Sequence, residues 1–305
     1  MNIGLELFIQ QCLNGLTIGM MYALVALGYT MVYGVIQLVN FAHGEIFMVG
    51  AYLALSIIWI CAALLPGAPF VVVFIIILVF SMLGAGLLGA GIEKVAYRPL
   101  RGSPRLTALI TSIGVSFFLQ NAVMLLYGSK EKSLPNIVPP LRFDIGNISL
   151  SLIQLIIFAT SLALMFFLSW FIKHTAIGKA MRACSENPEA ACLVGISVSK
   201  IIRMTFIIGS GLAAVAGTLF GLYYGSINFH DGYLAGLKAF TAAVFGGIGS
   251  IPGAMIGGLL LGLFEGLGAG YLSSEWKDVF AFVLLVVVLI FKPSGIMGEN
   301  TQEKV

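Results

Sequence analysis

The residues best suited to chemistry in this sequence sit where charge is rarest. His43 and Glu45 lie two apart in Val39-Asn40-Phe41-Ala42-His43-Gly44-Glu45, between two apolar stretches. An imidazole and a carboxylate at that spacing could act as an acid–base dyad or offer metal ligands. The plainer reading is preferred: a structural hydrogen-bond pair that, with Asn40, caps the next helix and holds a bend. Glu265 stands alone in an apolar segment. A carboxylate inside hydrocarbon is costly and is a functional candidate by default. Its alternative is a place near the interface, paired with a group such as Lys238. Nothing around it in the sequence completes a proton relay. His230 could be imagined as a ligand beside His43 and Glu45, but the loop charges put His43 and His230 on opposite sides of a membrane. Cys12, Cys61, Cys184 and Cys192 show no metal-ligand spacing and read as small buried or bystander residues. No catalytic, cofactor-binding or metal-binding residue is assigned, and no cofactor is expected.

The elements that hold these groups follow from composition. Hydrophobic residues make up 59% of the 305 and charged residues 10%, against a soluble norm of about 25% charged. The charges are segregated. Asp, Glu, Lys and Arg are absent between Glu45 and Glu93, Arg105 and Lys130, Asp144 and Lys173, Arg203 and Asp231, and Lys238 and Glu265. A helix needs roughly 20 apolar residues to cross the hydrocarbon, so each gap holds a span and the longest holds two. The expected fold is an all-α membrane protein, one polytopic transmembrane domain over residues 1–305. Its eight apolar segments run approximately 7–33, 46–65, 69–92, 106–127, 150–172, 201–224, 237–271 and 277–291. The seventh is too long and too interrupted for one straight helix. The first basic residue is Lys94, so the positive start of a secretory leader is missing and the first segment is expected to be retained. A net charge of +3 without basic–aromatic runs gives no sign of nucleic-acid binding.

Lysine and arginine in short loops set the orientation. Lys94, Arg98, Arg101 and Arg105 mark one cytoplasmic loop, and Lys173, Lys179, Arg182, Lys200 and Arg203 mark another. Two spans separate them, so the parity agrees. An external N-terminus, external loops at 128–149 and 225–236, residues 40–45 near the inner interface and a cytoplasmic tail follow. Trp59, Trp170 and Trp276 fall near predicted span ends, as interfacial rings do.

Two places break the helical pattern. One is 39–45; the other is Gly246-Gly247-Ile248-Gly249-Ser250-Ile251-Pro252-Gly253. Irregular backbone at membrane depth survives only beside protein or a watery cavity. Asn40, His43, Glu45, Gly246, Gly247, Gly249, Ser250 and Pro252 are therefore candidate path residues. Interrupted segments in both halves suggest an inverted repeat, although the two breaks share no residue pattern. After the second break, Ala254, Gly258, Gly262, Gly266 and Gly270 lie on one helix face. Such a ladder signals close helix packing, within the chain in preference to a subunit interface.

The polar stretch 173–200 should carry short helices. Asn187 suits an N-cap, Pro188 the first turn, and Glu189 the positive helix end. Gly195 is a suitable stop, and Ala176–Cys184 can form another short helix. Helices this short need a partner surface.

Asn40–Glu45, Glu93–Arg101 and Lys238–Gly258 together resemble the permease subunits of bacterial branched-chain amino-acid ABC importers, with the H-type subunit of the high-affinity leucine/isoleucine/valine system the nearest match. The likeness runs from about residue 7 to the tail Lys292-Pro293-Ser294-Gly295-Ile296-Met297-Gly298. It implies an inner-membrane subunit working with a second homologous permease, two cytoplasmic ATP-binding subunits and a periplasmic amino-acid binding protein. It also implies that Ala183–Ser197 docks on an ATPase, with Arg182, Glu186, Asn187, Pro188, Glu189 and Gly195 as coupling candidates. The phosphate-binding loop of an ATPase is absent from the sequence, so this chain is expected to be non-catalytic. Related urea and amide importers share these motifs. An ion-coupled transporter or channel would want a charged relay, for which only Glu265 offers itself. An intramembrane enzyme would need the ligand set rejected above.

Overall fold

The computed structural model describes residues 3–292 and 294–298. Pro293 and residues 299–305, which hold part of the expected cytoplasmic tail, lie outside the described residues. The chain forms α1 (Ile3–Ile36), α2 (His43–Leu64), α3 (Phe70–Ile92), α4 (Arg105–Tyr127), α5 (Leu152–His174), α6 (Ala176–Glu186), α7 (Pro188–Leu193), α8 (Val198–Tyr224), α9 (Asp231–Gly246), α10 (Ile251–Tyr271) and α11 (Lys277–Phe291). Seven of these are long and apolar enough to span a bilayer. They are the first six apolar segments and α10. The seventh segment divides into α9 and α10, joined by a short turn.

Local chemistry sets the ends. Pro69 and Pro104 immediately precede α3 and α4, where a missing N–H costs nothing. Ser151 and Gln154 form a capping box at the start of α5. The turn between α9 and α10 places Gly247 and Gly249 at φ +106° and +97°, a region closed to most side chains. Ser250 Oγ then accepts from Gly253 N–H at 3.2 Å and starts α10. The last carbonyls of α9 are satisfied by the chain's own tail: Ile296 N–H donates to Phe245 O, and Met297 N–H to Gly246 O, both at 2.9 Å.

α1 and α8 form the buried centre, and α3, α4 and α5 turn most of their surface outward. The outward faces carry Phe117, Phe118, Leu125 and Leu126, as lipid contact demands. The inward faces are built on small residues. Gly217 of α8 lies against the Phe47 backbone of α2, and Gly50 of α2 against Ala214. The predicted ladder on α10 is buried against α1: Gly258 meets Ala23, Gly262 meets Gly19, and Gly266 meets Gly15. It is therefore an intrachain seam.

On one side of the bundle two loops are joined by short strands. β1 (Lys132–Ser133) pairs with β4 (Ser226–Ile227), and β2 (Arg142–Ile145) with β3 (Ile148–Ser151). Asn147 donates to Glu6 at 2.5 Å, so the start of α1 shares that side.

Two expectations need correction. The stretch 93–105, read as a loop, continues α3 as a π-helical turn over Glu93–Tyr97 and a 3-10 turn over Arg98–Leu100. Glu93 inside it is fully buried. Residues 40–45, read as lying near the inner interface, fold back into the bundle. Ser116, at the middle of α4, donates to Glu45 Oε1 at 3.0 Å, and His43 lies against Gly28 and Gly209, both interior to their helices. α2 thus begins deep within the bundle because glycines on α1, α8 and α9 leave room for its first turn.

Candidate functional site

The first break is a packed polar junction. Asn40 Oδ1 accepts from Ala42 N–H at 3.1 Å and from Tyr97 Oη at 2.8 Å. It forms an Asx turn that leads into α2, but α2 has no side-chain cap, and the expected His43–Glu45 hydrogen bond is not formed, because Glu45 turns to Ser116. The His43 ring meets Tyr29 edge-on, 4.7 Å between centroids. Asn40, His43 and Glu45 are all buried. Gly44 abuts Gly232 and Gly236, so the first turns of α2 and α9 touch backbone to backbone. One oxygen of Glu45, His43 Nε2 and Asn40 Nδ2 have no hydrogen-bond partner.

The second break lies toward the end that carries α6. Gly247 packs on Gly295 and Gly298 of the tail. Gly249 and Arg182 line one small cavity of about 70 Å³ together with Ser185. One path candidate and one coupling candidate thus share a wall. Gly246 packs on Gly253, and Pro252 sits in the first turn of α10.

The coupling candidates form a compact unit. Asn187 Oδ1 accepts from the N–H groups of Glu189 and Ala190, each at 3.0 Å. Pro188 opens α7 and Glu189 stands in its first turn. Gly195 ends the unit at φ +85°. Arg182 Nη2 donates to Lys173 O at 3.3 Å, and Glu186 closes α6. Leu193 and Val194 at the tip are 90% and 76% exposed.

Glu265 has the partner named in its plainer reading. Its Oε1 accepts from Lys238 Nζ at 2.8 Å, and both side chains are buried. The sequence did not reveal that Lys238 has a second acid, Asp278 Oδ1 at 2.6 Å. Nor did it reveal Tyr22, whose ring centroid lies 5.8 Å from the ammonium, within cation–π range. Asp278 stands in the first turn of α11, an ordinary place for an acid. The cluster borders a cavity of about 260 Å³ on the side of the β1–β4 pair, lined also by Tyr224, Asp231 and Leu234.

Discontinuous helices around an interior mixed-charge cavity, inside a lipid-facing shell, define a polytopic membrane permease. The chain belongs to the family described as branched-chain amino acid transport system / permease component, whose model matches residues 11–289. It is 50% identical over 304 residues to the Pseudomonas aeruginosa high-affinity branched-chain amino acid transport system permease protein BraD, covering 98% of each chain. It is 47% identical over 314 residues to Escherichia coli LivH, described in the same words, again covering 98% of each. A probable branched-chain amino acid transport permease protein LivH of Methanocaldococcus jannaschii is 28% identical, over 91% of this chain and 88% of that one.

Proposed function

We propose that this chain is the inner-membrane permease subunit of an ABC importer that carries leucine, isoleucine and valine into the cytoplasm by ATP-driven alternating access. The observation that carries the reading is similarity along the whole chain to permeases of that description. The subunit pairs with a second, homologous permease. Two cytoplasmic ATP-binding subunits supply the energy, and a periplasmic binding protein delivers the amino acid to the β1–β4 side. This chain is the non-catalytic member. Its N-terminus faces the periplasm and its C-terminus the cytoplasm.

The geometry supports a drive train. The exposed tip at Leu193–Val194 meets an ATPase, and α6 passes the motion to Gly249 through the wall that Arg182 shares with it. The contact of Gly44 with Gly232 and Gly236, where two helices begin inside the bundle, is a place where packed segments can slide. The seam of small residues between α1 and α10 remains rigid.

The test is reconstitution of all subunits in proteoliposomes with an ATP-regenerating system in the lumen and loaded binding protein outside. Leucine uptake should require ATP and stop when the ATP-binding subunits carry an inactivating substitution. Uptake surviving at full rate with inactive ATPases would overturn the ABC reading.

A further inference from the structure

The cavity beside Lys238 has a charge arrangement that packing alone does not require. Lys238 is 5% exposed and holds two carboxylates of different standing. Glu265, 3% exposed, makes an aligned hydrogen bond at 2.8 Å. Asp278, 37% exposed, touches the same ammonium at 2.6 Å, yet its Oδ1 lacks hydrogen-bond geometry. One bond is buried and directional. The other is a contact of charge through a buried oxygen, made by a side chain that is otherwise partly open at the cavity wall. The remaining wall carries Glu131, Asp231 and Lys277 beside Phe220, Leu234 and Ala235. Charges of both signs face an apolar surface across about 260 Å³, close to the lower end of small-molecule sites, roughly 300–1,000 Å³.

We propose that this cavity is a binding site for a free zwitterionic aliphatic amino acid, which inserts between Lys238 and Asp278. The proposal rests on the amino-acid importer reading above and names the residues that would contact the cargo. The substrate carboxylate takes the place of Asp278 on Lys238. The substrate ammonium takes the place of Lys238 on Asp278, with Asp231 on the same wall. The aliphatic side chain lies on Phe220, Leu234 and Ala235. Glu265 keeps its bond to Lys238 throughout and fixes the amine for the exchange.

Charge balance selects the zwitterion. A simple anion would strip Asp278 from its partner and leave a carboxylate unpaired beside an apolar wall. A simple cation would satisfy Asp278 but make nothing of Lys238, which would be left with Glu265 alone. An uncompensated, partly buried charge is strongly disfavoured. The zwitterion gives both Lys238 and Asp278 an opposite charge and leaves the net charge of the cavity unchanged. Lys238, Glu265 and Asp278 come from α9, α10 and α11, so insertion also loosens α11 from α9 without freeing α9 from α10.

The experiment uses the assembled importer in nanodiscs without binding protein, and radiolabelled leucine as the probe. Wild type should hold leucine that excess valine displaces. Isocaproate, which lacks the ammonium, and isopentylamine, which lacks the carboxylate, should displace it far more weakly. Asp278→Asn, which leaves the Lys238–Glu265 bond in place, should weaken binding by at least about tenfold and raise isocaproate relative to leucine. Its thermal unfolding should stay at the wild-type temperature. Lys238→Arg should retain binding. Leucine binding unchanged in Asp278→Asn, equal displacement by the single-charge analogues, or no binding to wild type would overturn the site. ATP-dependent uptake with loaded binding protein, measured on the same preparation, separates the two readings. Uptake present with these arms failing removes the site alone, and uptake absent removes the importer reading.

Discussion

Gly15 and Gly262 meet backbone to backbone where α1 crosses α10: a methyl group at Gly15 would stand 2.7 Å from the carbonyl oxygen of Gly262. Lipid tails are as apolar as leucine, so this seam is held by close van der Waals contact and not by burial from water. Bulk placed there pushes the central helix off its neighbour. Gly262→Leu should lower stability by about 1–3 kcal/mol or more, the usual cost of overpacking. Gly91 has open space around it, so Gly91→Ala is the control and should be neutral. Thermal unfolding of the two variants in detergent checks this, and equal behaviour would dissolve the seam.

Asn187 and Gly195 bracket the proposed coupling unit. Replacing Asn187 with Ala removes both capping bonds of α7 and should cost about 1 kcal/mol locally. Gly195→Val forces a β-branched side chain to φ +85°, although a side chain there meets nothing within 4 Å. Its effect therefore comes from backbone strain alone. Both variants, and Glu189→Lys, should insert in the membrane at wild-type levels. ATP hydrolysis should persist while leucine uptake falls severalfold. Unchanged uptake in all three would remove the docking role from this unit.

What was readable in advance depended on distance along the chain. Charge-free gaps mark the spans because hydrocarbon excludes charge at every position. The Asn187–Pro188 cap and the Gly247–Gly249 turn were legible because each acts on residues two or three away. The Glu265–Lys238 pair could be named because few charges were free to meet an isolated acid. The depth of α2 was not legible. Its first turn is set by Ser116, Gly209 and Gly232, residues remote in sequence that carry no mark of their role. Glu93 misled for a related reason. Among Lys94, Arg98 and Arg101 it reads as one more loop charge, and only the folded chain shows it enclosed. Asp278 was hidden because an acid at a helix start already has an ordinary explanation.

Cys184 and Cys192 give an internal check on orientation. Cys192 is exposed on α7, whereas Cys184 on α6 is buried, and burial pushes its thiol above the ordinary range. The thiolate is the reactive form, so Cys184 is protected twice. In a Cys12→Ser, Cys61→Ser background, a membrane-impermeant maleimide should label inside-out vesicles at Cys192 and leave Cys184 unlabelled. Intact spheroplasts should stay unlabelled until permeabilised. Mass spectrometry of the peptides reads both sites. Labelling of Cys192 from the outer face would invert the proposed topology.

The buried carboxylate of Glu93 supports a last prediction, about asymmetry. Glu93 is 0% exposed and pairs with Arg101, 30% exposed, and with Arg203, 42% exposed, at 3.4 Å for the latter. Arg101 also reaches Ser199 Oγ at 2.5 Å, so the cluster ties the end of α3 to the start of α8. Removing the acid leaves two guanidiniums already partly in water, where exposed pairs are worth about 1 kcal/mol or less. Removing Arg101 leaves a carboxylate out of water with one longer contact, the situation that costs up to about 3–5 kcal/mol in full burial. Arg101→Ala should therefore destabilise more than Glu93→Gln. The double variant should recover part of the Arg101→Ala loss, because the stranded charge is gone. A thermal double-mutant cycle reads this coupling directly. If Glu93→Gln is the worse single variant, or the double variant is simply additive, the carboxylate is better hydrated than its burial indicates, and the cluster is not what joins α3 to α8.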